Sequence, residues 1–532
     1  MSLLSVQFLL FLAVFLTVYF LVPKKFQWIV LLIGNLVFYM VGNYRVAFCI
    51  AITIISQYTI AILIDKQNRL CHEELDSGAK DKAEKKSIKA KYGKRKKALL
   101  LTAVFINVGL LCFVKYINFF IGNINGILDL VHSGTQIGFM ELIVPLGISF
   151  YTFTSLGYVI DVYRDKDSAE YNFFRFALFV SFFPTIIQGP IERHSSIAED
   201  LYREHKFDYT RFSFGLQRML YGYIKKIVIA DRLSVITTEI IQNYAVNDYR
   251  GFLLFIGIFL NTFRVYCDFS GGMDIVCGIS EIMGITLSEN FDHPYVARSI
   301  ADFWRRWHKT LGAWFGRYVF YPLSLSKAFN KLGRRLKGIL GDNVGKVIPA
   351  SIASFIVFLI IGFWHGANWK YFFYGLYSAF FVSTGTLMKD RYTEWKGKLG
   401  INEEGTAWII FQVLRTNFLV TVGRYFSFAQ SATDAFRMLK RTFTSFNPWI
   451  FSDGTLFKLG VNRYYFYFLM FAMFAVLLID FFQEKGVRFR EAIARRNIFV
   501  RWAVYLFGLY LILIFGMYGT EYNAVDFVYM RF

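Results

Sequence analysis

Long apolar runs separated by short polar stretches recur along almost the whole chain. Each of the first three, Ser2 to Val22, Phe26 to Gly42 and Val46 to Ile64, is close to the ~20 residues that an α-helix needs to cross ~30 Å of hydrocarbon. Similar runs follow at 98–114, 143–162, 173–187, 252–265, 347–363, 372–387, 408–422, 465–482 and 502–517. The pattern predicts an all-α polytopic membrane protein with about a dozen transmembrane helices.

The composition agrees with this interpretation. The 532 residues are 55% hydrophobic and 20% aromatic, and their mean hydropathy is +0.41, so a soluble domain would have nowhere to bury so much apolar surface. We therefore expect a multi-pass protein of the cell membrane that has membrane lipids among its partners. The five cysteines form no CxxC pair, and we expect no metal site.

The basic residues that give the net charge of +21 lie in short segments between apolar runs, which argues against nucleic-acid binding. Their densest cluster lies between Lys66 and Lys97, and the positive-inside rule places that segment in the cytoplasm. We expect a single membrane domain over residues 1–532. Its parts are N-terminal helices at 1–64, a basic cytoplasmic loop at 65–97, a catalytic core at 98–400 and C-terminal helices at 401–532.

The middle of the chain, from about Gly189 to Gly345, mixes Asp, Arg, His and Gly with many aromatic residues. It is too polar for continuous spans and too aromatic for an exposed loop. Lipid cannot satisfy free backbone N–H and C=O groups, so irregular segments at membrane depth must be buried in protein or line a wet cavity. We therefore expect re-entrant or interfacial helices around a funnel.

His365 is the first candidate for chemistry among the seven histidines. It follows the apolar run at 347–363, and an ionisable group at the end of a span usually faces an interior cavity. One interpretation is a structural histidine that hydrogen-bonds a neighbouring helix. The small residues Gly366 and Ala367 and the amide of Asn368 favour a site instead. A neutral imidazole there suits a general base that takes the proton of an acceptor hydroxyl.

His308 is the second candidate. It lies in an amphipathic segment with Arg305, Arg306 and Trp307, a composition typical of a membrane interface. The segment is either an interfacial anchor or a site at the cytoplasmic mouth, where the two arginines meet donor phosphates and His308 helps to hold the reacting group. Sequence spacing alone does not bring His308 and His365 together.

Asp268 and Asp274 flank a glycine pair in the stretch YCDFSGGMD, and glycine lets the backbone approach a ligand or a partner helix closely. A buried carboxylate needs a cation or backbone donors, and Arg264 lies four residues before Asp268. The two aspartates fit either a structural ion pair or a carboxylate that orients a catalytic group.

Several motifs together resemble the membrane-bound O-acyltransferases, and within them the alginate O-acetyltransferase-like branch. The stretches that carry the resemblance cover nearly the whole chain: VPLGISFYTFTSLGYVIDVYR at 144–164, FFPTIIQGPIER at 182–193, GYIKKIVIADRL at 222–233, the long motif at 266–323 that includes FWRRWH, FWHGANW at 363–369 and the ending DFVYMRF. The chain departs from the family where it reads GRYFSFAQ at 423–430 instead of a WxFFRA-like stretch, and in its unusually basic segment at 66–97.

The resemblance implies a ring of helices around a thin centre with a tunnel, through which an acyl group passes from a cytoplasmic donor to an outside acceptor. It implies that His365, in WHGA, is the catalytic histidine and that His308, in FWRRWH, is the second functional one. Asn368, Arg305, Arg306, Trp307, Asp268 and Asp274 are the expected supporting or substrate-binding residues.

The expected reaction is transfer of an acyl group, most simply acetyl, for O-acetylation of a cell-envelope or extracellular polysaccharide. We expect no bound cofactor and a donor that is acetyl-CoA or another acyl thioester. A secreted or membrane-anchored acetyltransferase partner is expected to complete the transfer to the polysaccharide. The alternatives are D-alanyl transfer to teichoic acid and transport of a glycan or lipid.

Overall fold

The computed structural model describes residues 2–44, 47–78, 81–518 and Phe527; the predicted C-terminal aromatic motif lies outside the described residues except for Phe527. Helices dominate, and the described part of the chain contains no β-strand beyond one antiparallel bridge between Phe291 and Trp307. The α-helices are α1 Val6–Leu21, α2 Gln27–Asn43, α3 Ala47–Gly78, α4 Lys82–Leu130, α5 Ile148–Tyr163, α6 Phe173–Ser181, α7 Phe183–Ile187, α8 His194–Tyr202, α9 Tyr209–Tyr223, α10 Asp231–Gln242, α11 Gly251–Ile282, α12 Ile300–Arg306, α13 Lys309–Phe315, α14 Tyr321–Ser324, α15 Lys327–Leu340, α16 Asp342–His365, α17 Trp369–Leu387, α18 Lys389–Lys398, α19 Thr406–Phe428, α20 Ala432–Thr444, α21 Arg463–Glu484, α22 Phe489–Ala494 and α23 Ile498–Phe515.

Eight helices in the described part of the chain are long and apolar enough to cross a membrane. They cover Lys24–Val41, Ala47–Ser77, Lys82–Leu130, Gly251–Ile282, Val347–His365, Thr406–Phe428, Arg463–Glu484 and Ile498–Phe515. Helix α1 is apolar as well but has only 16 residues. The prediction of an all-α polytopic membrane protein is confirmed.

One predicted span is wrong. The run at 173–187 forms two short helices, α6 and α7, because the backbone leaves the helical conformation at Phe182 and Pro184 lies in the first turn of the next helix. The buried amide oxygen of Asn35 accepts a hydrogen bond from the backbone N–H of Phe183 at 3.1 Å, which satisfies the break. Six of the nine residues of α6 and all five of α7 are buried, so most of their apolar character reflects burial in protein rather than contact with lipid.

The basic segment that we expected to be a loop is helical. Helix α3 continues to Gly78 and α4 begins at Lys82, and the two helices are joined by ion pairing between Lys91 and Glu74 at 3.0 Å. The hydroxyl of Tyr92 also donates to Glu74 at 2.6 Å. Lys, Glu, Arg and Ala are strong helix formers, so a highly charged segment favours helix when a neighbouring helix supports it. Its cytoplasmic location stays a prediction.

The stretch YCDFSGGMD, expected to be irregular, lies inside α11. Gly271 lets this helix approach another backbone segment, because a Cβ built on it would lie 2.8 Å from the carbonyl oxygen of Gly222. The glycine pair predicted such an approach to a ligand or a partner helix, and the structure shows a helix.

The chain forms two compact units, and the expected single membrane domain stays a prediction. Unit 1 comprises Met1–Leu216 and Val276–Ser288, and unit 2 comprises Gln217–Ile275 and Glu289–Phe532. Unit 1 contains buried polar links such as Gln27, whose side chain donates to the carbonyl of His205 at 3.0 Å and accepts from its N–H at 2.8 Å. Both candidate histidines lie in unit 2.

Candidate active site

The hairpin of α16 and α17 positions His365. The two helices cross at Gly362 and Gly375, where a Cβ on Gly362 would lie 2.5 Å from the carbonyl oxygen of Tyr371 and 2.9 Å from the Cα of Gly375. Small residues permit this close approach between membrane helices. His365 is the last residue of α16, and its side chain is held beside the first turns of α17.

His365 is buried among aromatic rings. Its ring centroid lies 5.0 Å from that of Trp364, 5.8 Å from that of Tyr374 and 6.4 Å from that of Tyr371, and 5% of the residue is exposed. A side chain at Gly366 would overlap the Tyr371 ring, which explains why a small residue follows the histidine. The site around the imidazole is therefore apolar and enclosed, where electrostatic interactions are strong.

Asn368, a predicted supporting residue, caps α17. Its side-chain oxygen accepts a hydrogen bond from the N–H of Lys370 at 3.0 Å. Capping fixes the start of α17 and hence the turn that follows His365. A role of the Asn368 amide in orienting the imidazole or an oxyanion stays a prediction.

His308 is placed by a local β-bridge. The bridge between Phe291 and Trp307 brings Asn290 beside His308, whose Nδ1 lies 3.0 Å from the Asn290 Oδ1. His308 has φ +50° and ψ +54°, a left-handed conformation that costs a non-glycine residue free energy. Only 2% of the residue is exposed, and its ring meets the edge of Phe269 with centroids 4.9 Å apart.

The hydrogen bonds around Asn290 indicate which nitrogen of His308 carries the proton. The Asn290 Oδ1 also accepts from the backbone N–H of Thr310 at 3.1 Å, so it acts as an acceptor toward His308. Nδ1 of His308 is then the donor, and Nε2 carries the lone pair. Burial lowers the pKa of His308 to about 3, which keeps the ring neutral at physiological pH. So weak a base is suited to accept a hydrogen bond at Nε2 from a group that it orients, rather than to remove a proton.

Trp364 joins the two histidines. The centroid of its ring lies 5.9 Å from that of His308 and 5.0 Å from that of His365, so both imidazoles pack against one indole. The structure thus brings together the two residues that sequence spacing left apart.

Arg424, on α19, was missed as a site residue. Its guanidinium carbon lies 4.8 Å from the centroid of Trp307 and 5.4 Å from that of Tyr374. Trp307 precedes His308 in sequence and Tyr374 packs on His365, so Arg424 contacts a neighbour of each histidine. An arginine at the end of an apolar run was the signal that could have found it.

The two predicted phosphate-binding arginines differ in their surroundings. Arg306 donates to both carboxylate oxygens of Glu484, at 2.9 and 3.0 Å, and this bonding raises its pKa. Arg305 has 71% of its side chain exposed and reaches Asp302 at 3.2 Å. Trp307 is buried and stacks on Phe303, with centroids 5.5 Å apart. Donor binding by Arg305 or Arg306 stays a prediction.

Asp268 and Asp274 pair with two consecutive lysines that the sequence analysis did not consider. The Nζ of Lys226 donates to Asp268 at 2.7 Å, and the Nζ of Lys225 lies 2.5 Å from Asp274. Arg218 adds a bond to Asp274 at 3.0 Å. Both lysines come from a π-helical segment at Ile224–Ala230, and the signal was a lysine pair within an apolar stretch.

Comparison with known proteins decides the family. The model of the membrane-bound O-acyltransferase family matches residues 162–336. The Probable alginate O-acetylase AlgI of Pseudomonas aeruginosa is 29% identical over 479 residues, which cover 89% of this chain and 81% of that protein. The chain belongs to the membrane-bound O-acyltransferase family. It is an integral membrane O-acyltransferase.

Other relatives in this acyltransferase family are named for different activities. The Peptidoglycan O-acetyltransferase of Helicobacter pylori is 33% identical over 311 residues, covering 53% of this chain and 54% of that protein. The Teichoic acid D-alanyltransferase of Streptococcus thermophilus is 28% identical over 312 residues, covering 55% of this chain and 70% of that protein. Membership in an enzyme family leaves the transporter alternative without support.

Acyl transfer to oxygen requires a group that accepts the hydroxyl proton and groups that hold the acyl donor in an enclosed place. The aromatic rings around His308 and His365 hold two imidazoles against the indole of Trp364. The guanidinium of Arg424 packs on two further rings of this group, Trp307 and Tyr374. Because the rings exclude water, the arrangement suits transfer to a chosen hydroxyl over hydrolysis.

Proposed function

We propose that this acyltransferase moves an acetyl group from a cytoplasmic donor, acetyl-CoA or another acyl thioester, to a hydroxyl of a cell-envelope or extracellular polysaccharide. The observation that carries the proposal is the pair of buried histidines on Trp364 in an O-acyltransferase. Two relatives are named as an alginate O-acetylase and a peptidoglycan O-acetyltransferase. Their names support acetyl as the transferred group and an envelope or secreted polymer as the acceptor class.

In the proposed mechanism, His365 is the general base. Its imidazole takes the proton of the acceptor hydroxyl while that oxygen attacks the thioester carbonyl carbon. The tetrahedral intermediate then collapses with cleavage of the C–S bond, and the departing thiolate takes the proton from the imidazolium. His308 holds the acceptor hydroxyl or the donor through Nε2, since its Nδ1–H is bound by Asn290.

The proposed partners follow from the location of the substrates. The basic start of α4 favours a cytoplasmic face, where thioester donors are made. The polysaccharide lies on the other side, so we propose that a secreted or membrane-anchored acetyltransferase receives the acyl group and completes O-acetylation. D-alanyl transfer is the second candidate, because a teichoic acid D-alanyltransferase is among the relatives.

The test compares His365→Ala with a histidine variant away from the site. His72→Ala is the matched control, because 60% of its side chain is exposed and it pairs with Asp165 in unit 1. We expect both variants to reach the membrane at the level of the wild type, and only His365→Ala to abolish acetyl esters on the envelope polymer. Mass spectrometry of polymers from cells carrying each variant measures the esters. Wild-type acetylation in the His365→Ala strain would refute the proposal.

A further inference from the structure

Arg424 is a buried cation that forms no ion pair among the residues that the structure describes. Only 4% of the residue is exposed, although it lies in a candidate membrane span. Within the described ranges, its Nε and Nη2 atoms have no hydrogen-bond acceptor. Buried guanidinium groups are normally paired or fully hydrogen-bonded, because an unsatisfied buried charge is costly. A buried arginine with two unsatisfied N–H donors is suited to bind a ligand that offers hydrogen-bond acceptors.

The aromatic rings around Arg424 compensate only part of this cost. Trp307 and Tyr374 lie 4.8 and 5.4 Å from the guanidinium carbon, and a third ring, Phe428, lies at 5.8 Å. Their π faces attract a cation, but they accept no hydrogen bond from Nε–H or Nη2–H with the strength of an oxygen. Those two groups form the edge of the guanidinium that binds oxygen in a defined orientation.

The position of Arg424 connects it with the acyl group. Tyr374 is in ring contact with His365, at 5.8 Å between centroids, and Arg424 packs on the same tyrosine. The imidazole and the guanidinium thus share the Tyr374 ring, and an acyl chain that extends from His365 along this ring meets Arg424. Arginine stays positively charged, so it attracts an anionic acyl group and repels a cationic one.

Building on the proposed function, we propose that Arg424 determines which acyl group this enzyme transfers. Its Nε–H and Nη2–H bind an oxygen of the acyl portion of the donor, and its charge excludes acyl groups that carry an ammonium group. The selected class is thus an uncharged or anionic acyl group, and an aminoacyl group such as D-alanyl is rejected. This rejection separates the two candidate activities on a physical ground.

Two donors of nearly equal shape test the proposal. Propionyl and D-alanyl thioesters of phosphopantetheine share a three-carbon acyl chain, and the second adds an ammonium group. Thioester cleavage by the purified full chain in nanodiscs is measured for each donor, with and without a carbohydrate acceptor. We expect the wild type to prefer propionyl in kcat/KM by at least about tenfold. We expect Arg424→Gln to bring the two donors within about threefold of each other, chiefly through faster D-alanyl cleavage.

Arg415→Gln is the matched control. Arg415 lies on the same helix and its Nη2 donates to the carbonyl of Arg298 at 2.8 Å, so the variant removes an arginine from α19 without touching the histidine cluster. We expect its donor preference to equal that of the wild type. Arg424→Lys keeps the charge and loses the planar edge, so it should still reject D-alanyl while propionyl cleavage falls at least about tenfold.

The outcomes separate the inference from the proposed function. An unchanged donor ratio in Arg424→Gln overturns the inference, and so does Arg424→Lys with wild-type propionyl cleavage if the Gln variant does not fold. A wild type that cleaves D-alanyl as fast as propionyl overturns it too. A wild type that prefers propionyl but leaves no acetyl esters on the envelope polymer in cells refutes the proposed function and leaves the inference standing.

Discussion

Removal of the Lys226 charge tests how the core of unit 2 is held together. Its Nζ lies 2.7 Å from Asp268 Oδ1 and 2.8 Å from Asp231 Oδ1, and none of the three side chains is more than 2% exposed. Lys226→Met keeps an unbranched apolar stem in the same space. The change leaves two buried carboxylates without the cation that bridges them.

The expected loss of stability follows from burial and distance. Unit charges 2.7 Å apart attract each other by about 6 kcal/mol at an effective dielectric constant of 20, and most of this offsets their desolvation. Removal of one partner of a buried pair costs about 3–5 kcal/mol, because the other charge stays buried. We therefore expect the apparent melting temperature of Lys226→Met in detergent to fall by roughly 5–8 °C.

The pH dependence of this loss is a second, independent readout. Burial raises the pKa of Asp231 to about 6, and the loss of Lys226 raises it further. A carboxyl whose pKa is higher in the folded than in the unfolded state stabilises the fold below its folded pKa and loses that contribution as the pH rises through it. The difference between Lys226→Met and the wild type should therefore be larger at pH 8 than at pH 6.

The control variant removes the whole cluster: Lys226→Met with Asp231→Asn and Asp268→Asn. It buries no unpaired charge, so it should recover most of the lost melting temperature. Size-exclusion chromatography with fluorescence detection, after heating, measures all three proteins. If Lys226→Met melts with the wild type at both pH values, the reasoning is refuted. Acyl transfer by the triple variant would assign Asp268 a structural role, and its loss in a stable triple variant would favour an orienting role.

Three further predictions concern the histidine hairpin and its surroundings. Gly362→Ala should cost about 1–3 kcal/mol of stability and reduce acyl transfer, because its Cβ meets fixed backbone. Gly385→Ala on α17 places its Cβ in open space and should not destabilise the protein. The melting temperature and the transfer rate of both variants check this prediction. The pKa of His308 is lower in the folded protein, so wild-type stability should fall by up to about 1.4 kcal/mol per pH unit below pH 6.5, and His308→Gln should melt with a shallower pH slope between pH 7 and 4.5. Arg306→Gln breaks the bond to a carboxylate and should lower the melting temperature, whereas Arg305→Gln should leave it within about 0.5 kcal/mol and raise only the KM for a phosphate-bearing donor.

The sequence predicted most where the chemistry of the membrane restricts the answer. Apolar runs of helical length identify spans because lipid demands internally satisfied backbone. The run at 173–187 misled, because burial in protein selects the same residues as lipid does. The basic segment at 66–97 misled for another reason, since charge predicts exposure and gives no information on whether the backbone is helical.

Partners far apart in sequence could not be predicted. Arg264 was considered as the partner of Asp268 because four residues separate them on a helix, whereas Lys226 is 42 residues away and becomes a neighbour only through packing. The same limit separated His308 from His365 until Trp364 joined them. Arg424 could have been predicted, because an ionisable residue just after an apolar run is the same signal that identified His365.

The buried cations of unit 2 fall into two groups, and the difference separates support from function. Lys225 and Lys226 are each matched by carboxylates of α11, so their charges are used up within the protein and hold helices together. Arg424 is surrounded by rings that tolerate a cation without consuming its hydrogen bonds. Its unsatisfied N–H donors lie beside the residues that contact the two histidines. A cation that only stabilised the fold would be expected to have the carboxylate that the lysines have, so its absence among the described residues is the reason to look for that partner on the substrate.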